Sequence, residues 1–83
     1  MIKHINHPKY ERLIAWLKRA REERGLTVRE LGGMLGETHQ FVNKVETMQR
    51  RLNVFEFVQY CEVLGVEPND GLALLRQTSK GEV

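Results

Sequence analysis

A glycine between two short helical patterns constrains this chain more than any other feature. Thr27 is a good helix N-cap, and Glu30 stands where it completes a capping box with that threonine. Apolar residues follow at the i, i+3, i+4 spacing of one buried helical face, at Leu31, Met34 and Leu35. Gly36 ends the pattern, because glycine enters the left-handed region at a helix end without steric cost. The sequence therefore predicts a short helix that opens at Thr27 and stops at Gly36.

A second short helix is predicted immediately after this glycine. Only Glu37 separates Gly36 from the next N-cap, Thr38. The helix runs from His39 to about Val45 and turns Val42 and Val45 inward. Two helices joined by a short turn that contains glycine form a helix-turn-helix motif. The outward residues of the second helix are His39, Gln40, Phe41, Asn43 and Lys44.

Several of these outward side chains can read the edges of DNA bases. Gln40 can bond bidentately to adenine, and Lys44 or His39 can donate to guanine. Phe41 is open to two interpretations of equal weight, contact with a thymine methyl group or packing at the edge of the core. For Gln40 and Lys44 the alternative is a solvated helix face without a ligand, and the surrounding motif favours DNA.

Phosphate contacts are expected from basic side chains and from helix N-termini. The candidate side chains are Arg29, Lys44, Arg50 and Arg51, and the backbone N–H groups near Thr27 and Thr38 are further donors. The charge distribution agrees with this assignment. Residues 1–52 carry eleven Lys/Arg against six Asp/Glu, whereas residues 53–83 carry two against five. A basic half that contains a helix-turn-helix is the expected footprint of phosphate binding.

Three further helices are predicted around this motif. The first begins at Pro8, ends before Gly25 and turns one apolar face inward, at Tyr10, Leu13, Ile14, Leu17 and Ala20. The fourth has Asn53 as its N-cap and Glu56 as its box partner, with an inner face of Val54, Phe57, Val58, Cys61 and Leu64. A short fifth helix runs from about Pro68 through Leu75. We expect an all-α bundle of five helices in a single domain over residues 1–83, with loose tails at about 1–7 and 77–83.

Composition excludes several other classes of protein. No apolar run approaches the roughly 20 residues of a membrane helix. The N-terminus lacks the apolar segment of a signal peptide, so we expect a cytoplasmic protein. A metal site is not expected, because His4 and His7 have no acidic or cysteine partner at ligand spacing and Cys61 is the only cysteine. No nucleophile–base pairing and no phosphate-cradling loop is visible, so we expect neither a cofactor nor an enzyme.

From about Leu17 to Leu75, the chain resembles the lambda-repressor-like helix-turn-helix domains of the Cro/Xre type. The matching stretches are LKRAREERGLT at 17–27, Glu30-Leu31, Leu35-Gly36, Val42, Lys44-Val45-Glu46 and Leu64-Gly65-Val66. The resemblance implies a bacterial or phage transcription regulator that binds double-stranded operator DNA as a dimer. It places His39, Gln40 and Lys44 in the major groove with Asn43 beside them, and Thr38 on a phosphate. It also implies a structural ion pair between Arg21 and Glu46.

Three positions depart from the family's pattern. Val28 stands where the family often has a phosphate-binding glutamine, so that contact is lost. Gly32 replaces a small alanine and keeps the two helices close, although glycine inside a helix costs about 1 kcal/mol in propensity. Met48 replaces a glycine at the end of the recognition helix. Because methionine resists a positive φ, we expect a distorted turn at Thr47–Gln49 and an exposed Met48.

Two functional hypotheses follow, from different classes of protein. The first is a sequence-specific transcription regulator, a repressor, that binds a pseudo-palindromic operator as a homodimer with half-sites about 10 bp apart. The second is a protein-interaction module with the same fold, for example an antitoxin, in which DNA binding is weak or lost. In either case we expect the dimer or partner interface at Phe55, Leu72 and Leu75. The fourth helix is apolar beyond one face, which indicates a second packing partner, either the fifth helix or another subunit.

Overall fold

The computed structural model describes residues 7–76, and within them it contains five α-helices and no strand. They are α1 (Pro8–Glu23), α2 (Val28–Leu35), α3 (His39–Glu46), α4 (Val54–Leu64) and α5 (Pro68–Arg76). The predicted all-α bundle is therefore confirmed. Of the expected tails, residues 1–6 and 77–83 lie outside the described residues. His7 is not in a loose tail, because it is the N-cap of α1 and its Nδ1 accepts a hydrogen bond from the Lys9 N–H at 3.1 Å.

The predicted helix starts are confirmed at both capping boxes. The Thr27 hydroxyl accepts from the Glu30 N–H at 3.0 Å, and the Glu30 carboxylate accepts from the Thr27 N–H at 2.8 Å. Asn53 and Glu56 make the same reciprocal pair at the start of α4. These bonds satisfy N–H groups that have no partner inside the helix, which is why a local sequence signal located both starts.

The turn after α3 is regular, so the expected distortion at Met48 is wrong. Met48 adopts a positive φ of 68°. Its N–H donates to the Val45 carbonyl at 3.2 Å, and the Gln49 N–H donates to the Lys44 carbonyl at 2.8 Å. This is the bond pair of a Schellman motif, which normally has glycine at the left-handed position. Met48 is also half-buried against the core rather than exposed. Packing and the two bonds offset a backbone cost of about 1–2 kcal/mol.

The core lies where α1, α3 and α4 meet, with α2 and α5 packed on either side. Its fully buried members are Ile14, Leu17, Leu31, Val42, Val45, Tyr60, Cys61 and Leu64. Cys61 lies buried on the inner face of α4, as expected, and burial raises the pKa of its thiol to about 11. No helix within residues 7–76 is long and apolar enough to cross a lipid bilayer.

Three residues differ in solvent exposure from the expectation. Met34 is 49% exposed, because α2 buries the face that carries Leu31 and Gly32 instead. Val54 lies on the expected face of α4, in line with Phe57 and Val58, but is 80% exposed. Tyr60, which the apolar pattern placed outside the inner face of α4, is fully buried.

Two glycines allow helices to approach closely. A Cβ on Gly32 would lie 2.7 Å from the Thr38 carbonyl oxygen, so α2 rests directly on the turn that begins α3. The prediction that Gly32 keeps these two helices close is confirmed. A Cβ on Gly71 would lie 2.6 Å from Cζ3 of Trp16, and this contact seats α5 on α1. The sequence pattern did not indicate Gly71.

Adjacent glycines in α2 provide a matched pair of substitutions. We expect Gly32→Ala to lower the free energy of unfolding by about 1–3 kcal/mol, because backbone atoms block the new methyl group. Gly33→Ala should raise it by about 0.5–1 kcal/mol, because nothing lies within 4 Å of that position and alanine is the better helix former. Urea unfolding of both variants measures the difference. Equal effects would show that the α2–α3 contact is not close.

Candidate nucleic-acid interface

The outward face of α3 consists of polar side chains with no internal partner. His39, Gln40, Asn43 and Lys44 are all exposed. Within residues 7–76, no hydrogen bond or ion pair engages any of these four side chains. Val42 and Val45 on the opposite face are completely buried. The helix is therefore fixed on one side and offers donors and acceptors to a ligand on the other.

An ion pair with little solvent exposure attaches the end of α3 to α1. Arg21 Nε donates to Glu46 Oε2 at 2.6 Å, and Nη2 donates to Oε1 at 3.1 Å. The remaining nitrogen, Nη1, donates to the Leu26 carbonyl at 2.6 Å. The two side chains are only 11% and 6% exposed. The bonds to Glu46 raise the pKa of the Arg21 guanidinium above its ordinary value. The structure thus brings together the two residues that the resemblance paired.

The two helix N-termini proposed for phosphate differ in their availability. At α2 the Thr27 N–H already donates to the Glu30 carboxylate, which places a negative charge at that helix end. At α3 the Thr38 hydroxyl accepts from the Phe41 N–H at 3.3 Å, and the first turn has no acidic residue. The positive end of the helix dipole is therefore neutralised at α2 and not at α3. Val28 packs half-buried against the core, so its side chain offers nothing to phosphate.

The three candidate arginines lie in different environments. Arg29 is exposed on α2, and within the described residues nothing bonds to it. Arg51 extends toward α1, where its Cζ lies 5.9 Å from the centre of the Tyr10 ring. Arg50 extends toward α4 instead and forms two bonds of 2.9 Å with the Glu56 carboxylate. No local sequence signal indicated this pair, because Glu56 was already accounted for by its capping box.

Phe41 packs against the core and against Arg50. The ring is half-buried, and Cζ of Arg50 lies 4.6 Å from its centre. Of the two interpretations that the sequence left open, this geometry favours packing over contact with a thymine methyl group. Phe41 is adjacent in sequence to Gln40, so its packing also restricts how α3 can rotate about its own axis.

An apolar groove of about 310 Å³ lies between α1, α4 and α5. Its walls include Tyr10, Leu13, Val54, Phe57, Val58, Leu72 and Leu75. Of the three residues predicted for an interface, Leu72 is 41% exposed and Leu75 is half-buried, and both line this groove. Phe55 does not line it, but is 70% exposed and follows the lining residue Val54 in sequence. In the described part of the chain, no group of three or more His, Cys, Asp or Glu residues is placed to hold a metal ion.

Comparison with known proteins gives a family match and several similar structures, two of which are described here. A family model described as helix-turn-helix matches residues 17–70. An XRE-family-like protein from Pseudomonas syringae pv. tomato str. DC3000 is 36% identical, with a TM-score of 0.78 over 87% of this chain and 88% of that chain. The clp gene regulator ClgR from C. glutamicum is 21% identical, with a TM-score of 0.74 over 93% of this chain and 100% of that chain, a likeness of fold. A comparison with curated proteins found no match.

Proposed function

The chain belongs to the XRE-type helix-turn-helix family of DNA-binding transcription regulators, and we propose that it reads a specific operator with the outward face of α3. The observation that carries this proposal is the set of four exposed polar side chains without internal partners, on a helix whose other face is buried. Recognition of base edges requires a rigidly held surface whose polar groups have no partners within the protein.

Base recognition is assigned to α3 lying in the major groove. Gln40 and Asn43 can each bond bidentately to an adenine, and Lys44 or His39 can donate to a guanine. All four lie within the eight residues of α3, so they reach a short run of adjacent base pairs. Each well-formed bidentate contact is worth about 1–3 kcal/mol of discrimination against the wrong base.

Phosphate contacts are assigned to groups that flank this face. The start of α3 at Thr38 is the best placed, because its N–H groups meet a phosphate at the unneutralised end of the helix dipole. Arg29 and Arg51 supply charge, and Thr27 has a lesser role because Glu30 already occupies its N–H. These contacts set the position and affinity of the protein on DNA, whereas the α3 face sets the sequence.

The first test distinguishes base recognition by the outward face of α3 from nonspecific attraction of positive charge to DNA. We expect Gln40→Ala with Lys44→Ala to weaken specific binding at least about 100-fold, since two base contacts are lost. The matched control is Gln59→Ala with Lys18→Ala, which removes the same residue types from exposed positions on α4 and α1. It should change the affinity less than about threefold.

Fluorescence anisotropy with the DNA upstream of the protein's own gene, and with a scrambled fragment, measures both effects at several salt concentrations. Equal losses in the two double variants would contradict the assignment of base reading to α3. So would wild-type protein that binds both fragments alike.

We also infer that the protein binds its operator as a homodimer, with a second copy covering the apolar groove. Val54, Leu72 and Leu75 line the groove, and the exposed Phe55 follows Val54 in sequence. In the proposed dimer, a two-fold axis places exposed apolar residues of each copy, Phe55 among them, against the groove of the other. Two-fold symmetry then gives half-sites about 10 bp apart on a pseudo-palindromic operator.

Two matched substitutions on α5 test the proposed dimer interface. We expect Leu72→Glu to weaken dimerisation at least about 100-fold, because a charge is buried against the partner's apolar surface. Ala73→Glu adds the same charge at an exposed neighbouring position outside the groove and should change dimerisation less than about threefold. Sedimentation equilibrium measures both. Wild-type protein that stays monomeric at high concentration, with and without DNA, would contradict the dimer.

Repression is the regulatory outcome that this mode of binding favours. A dimer on its operator excludes other proteins from the same stretch of DNA. A second candidate function, an antitoxin or other protein-interaction module, is favoured by the same groove, because an apolar surface of this kind also suits a different protein. That function predicts that a partner protein competes with self-association and that Leu72→Glu abolishes partner binding while DNA binding is weak.

A further inference from the structure

Arg50 connects α3 to α4 through four separate contacts. Its backbone N–H donates to the Lys44 carbonyl at 3.2 Å, near the end of α3. Its guanidinium lies on the Phe41 ring and bonds both oxygens of Glu56. Nη1 also donates to the Arg51 carbonyl at 3.0 Å, which fixes the loop between the two helices. Three of these contacts are made by the side chain, so the guanidinium is held in place although the side chain is 41% exposed.

The Glu56 end of this connection is itself anchored. Glu56 Oε1 accepts from Arg50 Nη1 at 2.9 Å and from the Asn53 N–H at 3.0 Å. The same carboxylate therefore caps α4 and holds Arg50. The bond to Arg50 keeps the pKa of the Glu56 carboxyl below its usual range, so the pair is ionised at neutral pH. Phe41, Arg50 and Glu56 form a continuous path from α3 to the start of α4.

We propose that Arg50 is a positioning residue for base recognition, which fixes the orientation of α3 through Phe41 and Glu56 and does not itself bind phosphate. This inference rests on the proposed DNA-reading function of α3. An Arg50 that reached for a phosphate would leave the Glu56 carboxylate unpaired beside the DNA backbone, where like charges repel. It would also uncover the Phe41 ring. Both consequences oppose the movement.

The contact with Phe41 links Arg50 to the choice of base sequence. Glu46 holds α3 at its end, and Val42 and Val45 hold its inner face in the core. Phe41, one residue after Gln40, adds an attachment along the side of the helix that faces Arg50. A recognition site keeps its specificity only while its side chains stay within about 0.5 Å and 10–20° of the productive geometry. Loss of the Arg50 stack releases that restraint without removing any base contact.

Four single variants distinguish positioning from phosphate binding. If Arg50 positions α3, then Arg50→Ala, Arg50→Lys and Glu56→Gln each weaken specific binding by about 5–20-fold with an unchanged salt dependence. Lysine fails because it can neither bond Glu56 bidentately nor stack in the same way. Glu56→Gln keeps an oxygen for the Asn53 N–H, which protects the helix cap. Glu62→Gln removes the same charge from an exposed site on α4 and should bind like wild type.

If Arg50 instead binds phosphate, Glu56→Gln has the opposite effect on DNA affinity. Removal of its charge would release Arg50 toward DNA, so Glu56→Gln would bind more tightly than Glu62→Gln. Arg50→Lys would bind like wild type, and Arg50→Ala would reduce the slope of log affinity against log salt by about one. Any of these three results in the anisotropy titrations would overturn the positioning role.

Hydrogen exchange of the α3 amides tests the inference without DNA. Protection of α3 should fall about 5–20-fold in Arg50→Ala and in Glu56→Gln, and the double variant should lose no more than either single variant. Glu62→Gln should leave protection unchanged. Unaltered protection in Arg50→Ala would overturn the inference. If the wild type shows no sequence-specific binding, the proposed function fails, and this exchange measurement still decides the role of Arg50.

Discussion

The placement of α3 depends on one ion pair whose two side chains are largely removed from solvent. Arg21 and Glu46 are costly to desolvate, and such a pair is favourable only when its geometry is good and its remaining donors are bonded. Here two bonds join the carboxylate, and a third reaches the Leu26 carbonyl. The pair therefore fixes the end of α3, the helix α1 and the loop that leads into α2 at one point. Loss of either partner would leave the other charge unpaired and largely shielded from solvent.

Around this point, α3 is restrained by contacts of different kinds. Gly32 lets α2 lie against the turn at Thr38, at the start of α3. Phe41 meets Arg50 along its side, and the Met48 turn closes its end with backbone bonds. The strained backbone at Met48 directs the chain so that the Arg50 N–H also reaches α3. Eight residues would not form a stable helix alone, so this packing is what makes the polar face rigid.

Local rules were sufficient for features whose cause is local. The caps at Thr27, Thr38 and Asn53 were predictable because each satisfies N–H groups within three residues. Features that depend on contacts made only in the folded structure were not predictable. Examples are the Arg50–Glu56 pair and the contact of Gly71 with Trp16. The Arg21–Glu46 pair was expected only from family resemblance. Met34 was misplaced because a helix of eight residues is too short for its apolar spacing to define one face.

We infer that the placement of α3 depends on the Arg21–Glu46 pair, and a double-mutant cycle tests this claim. Urea unfolding of wild type, Arg21→Ala, Glu46→Ala and the double variant gives the four free energies required. Each single change should cost about 3–5 kcal/mol, a large share of the roughly 5–15 kcal/mol that stabilises a domain, and the double variant should cost clearly less than their sum. Single losses below about 1 kcal/mol that simply add, as for an exposed surface pair, would contradict the claim.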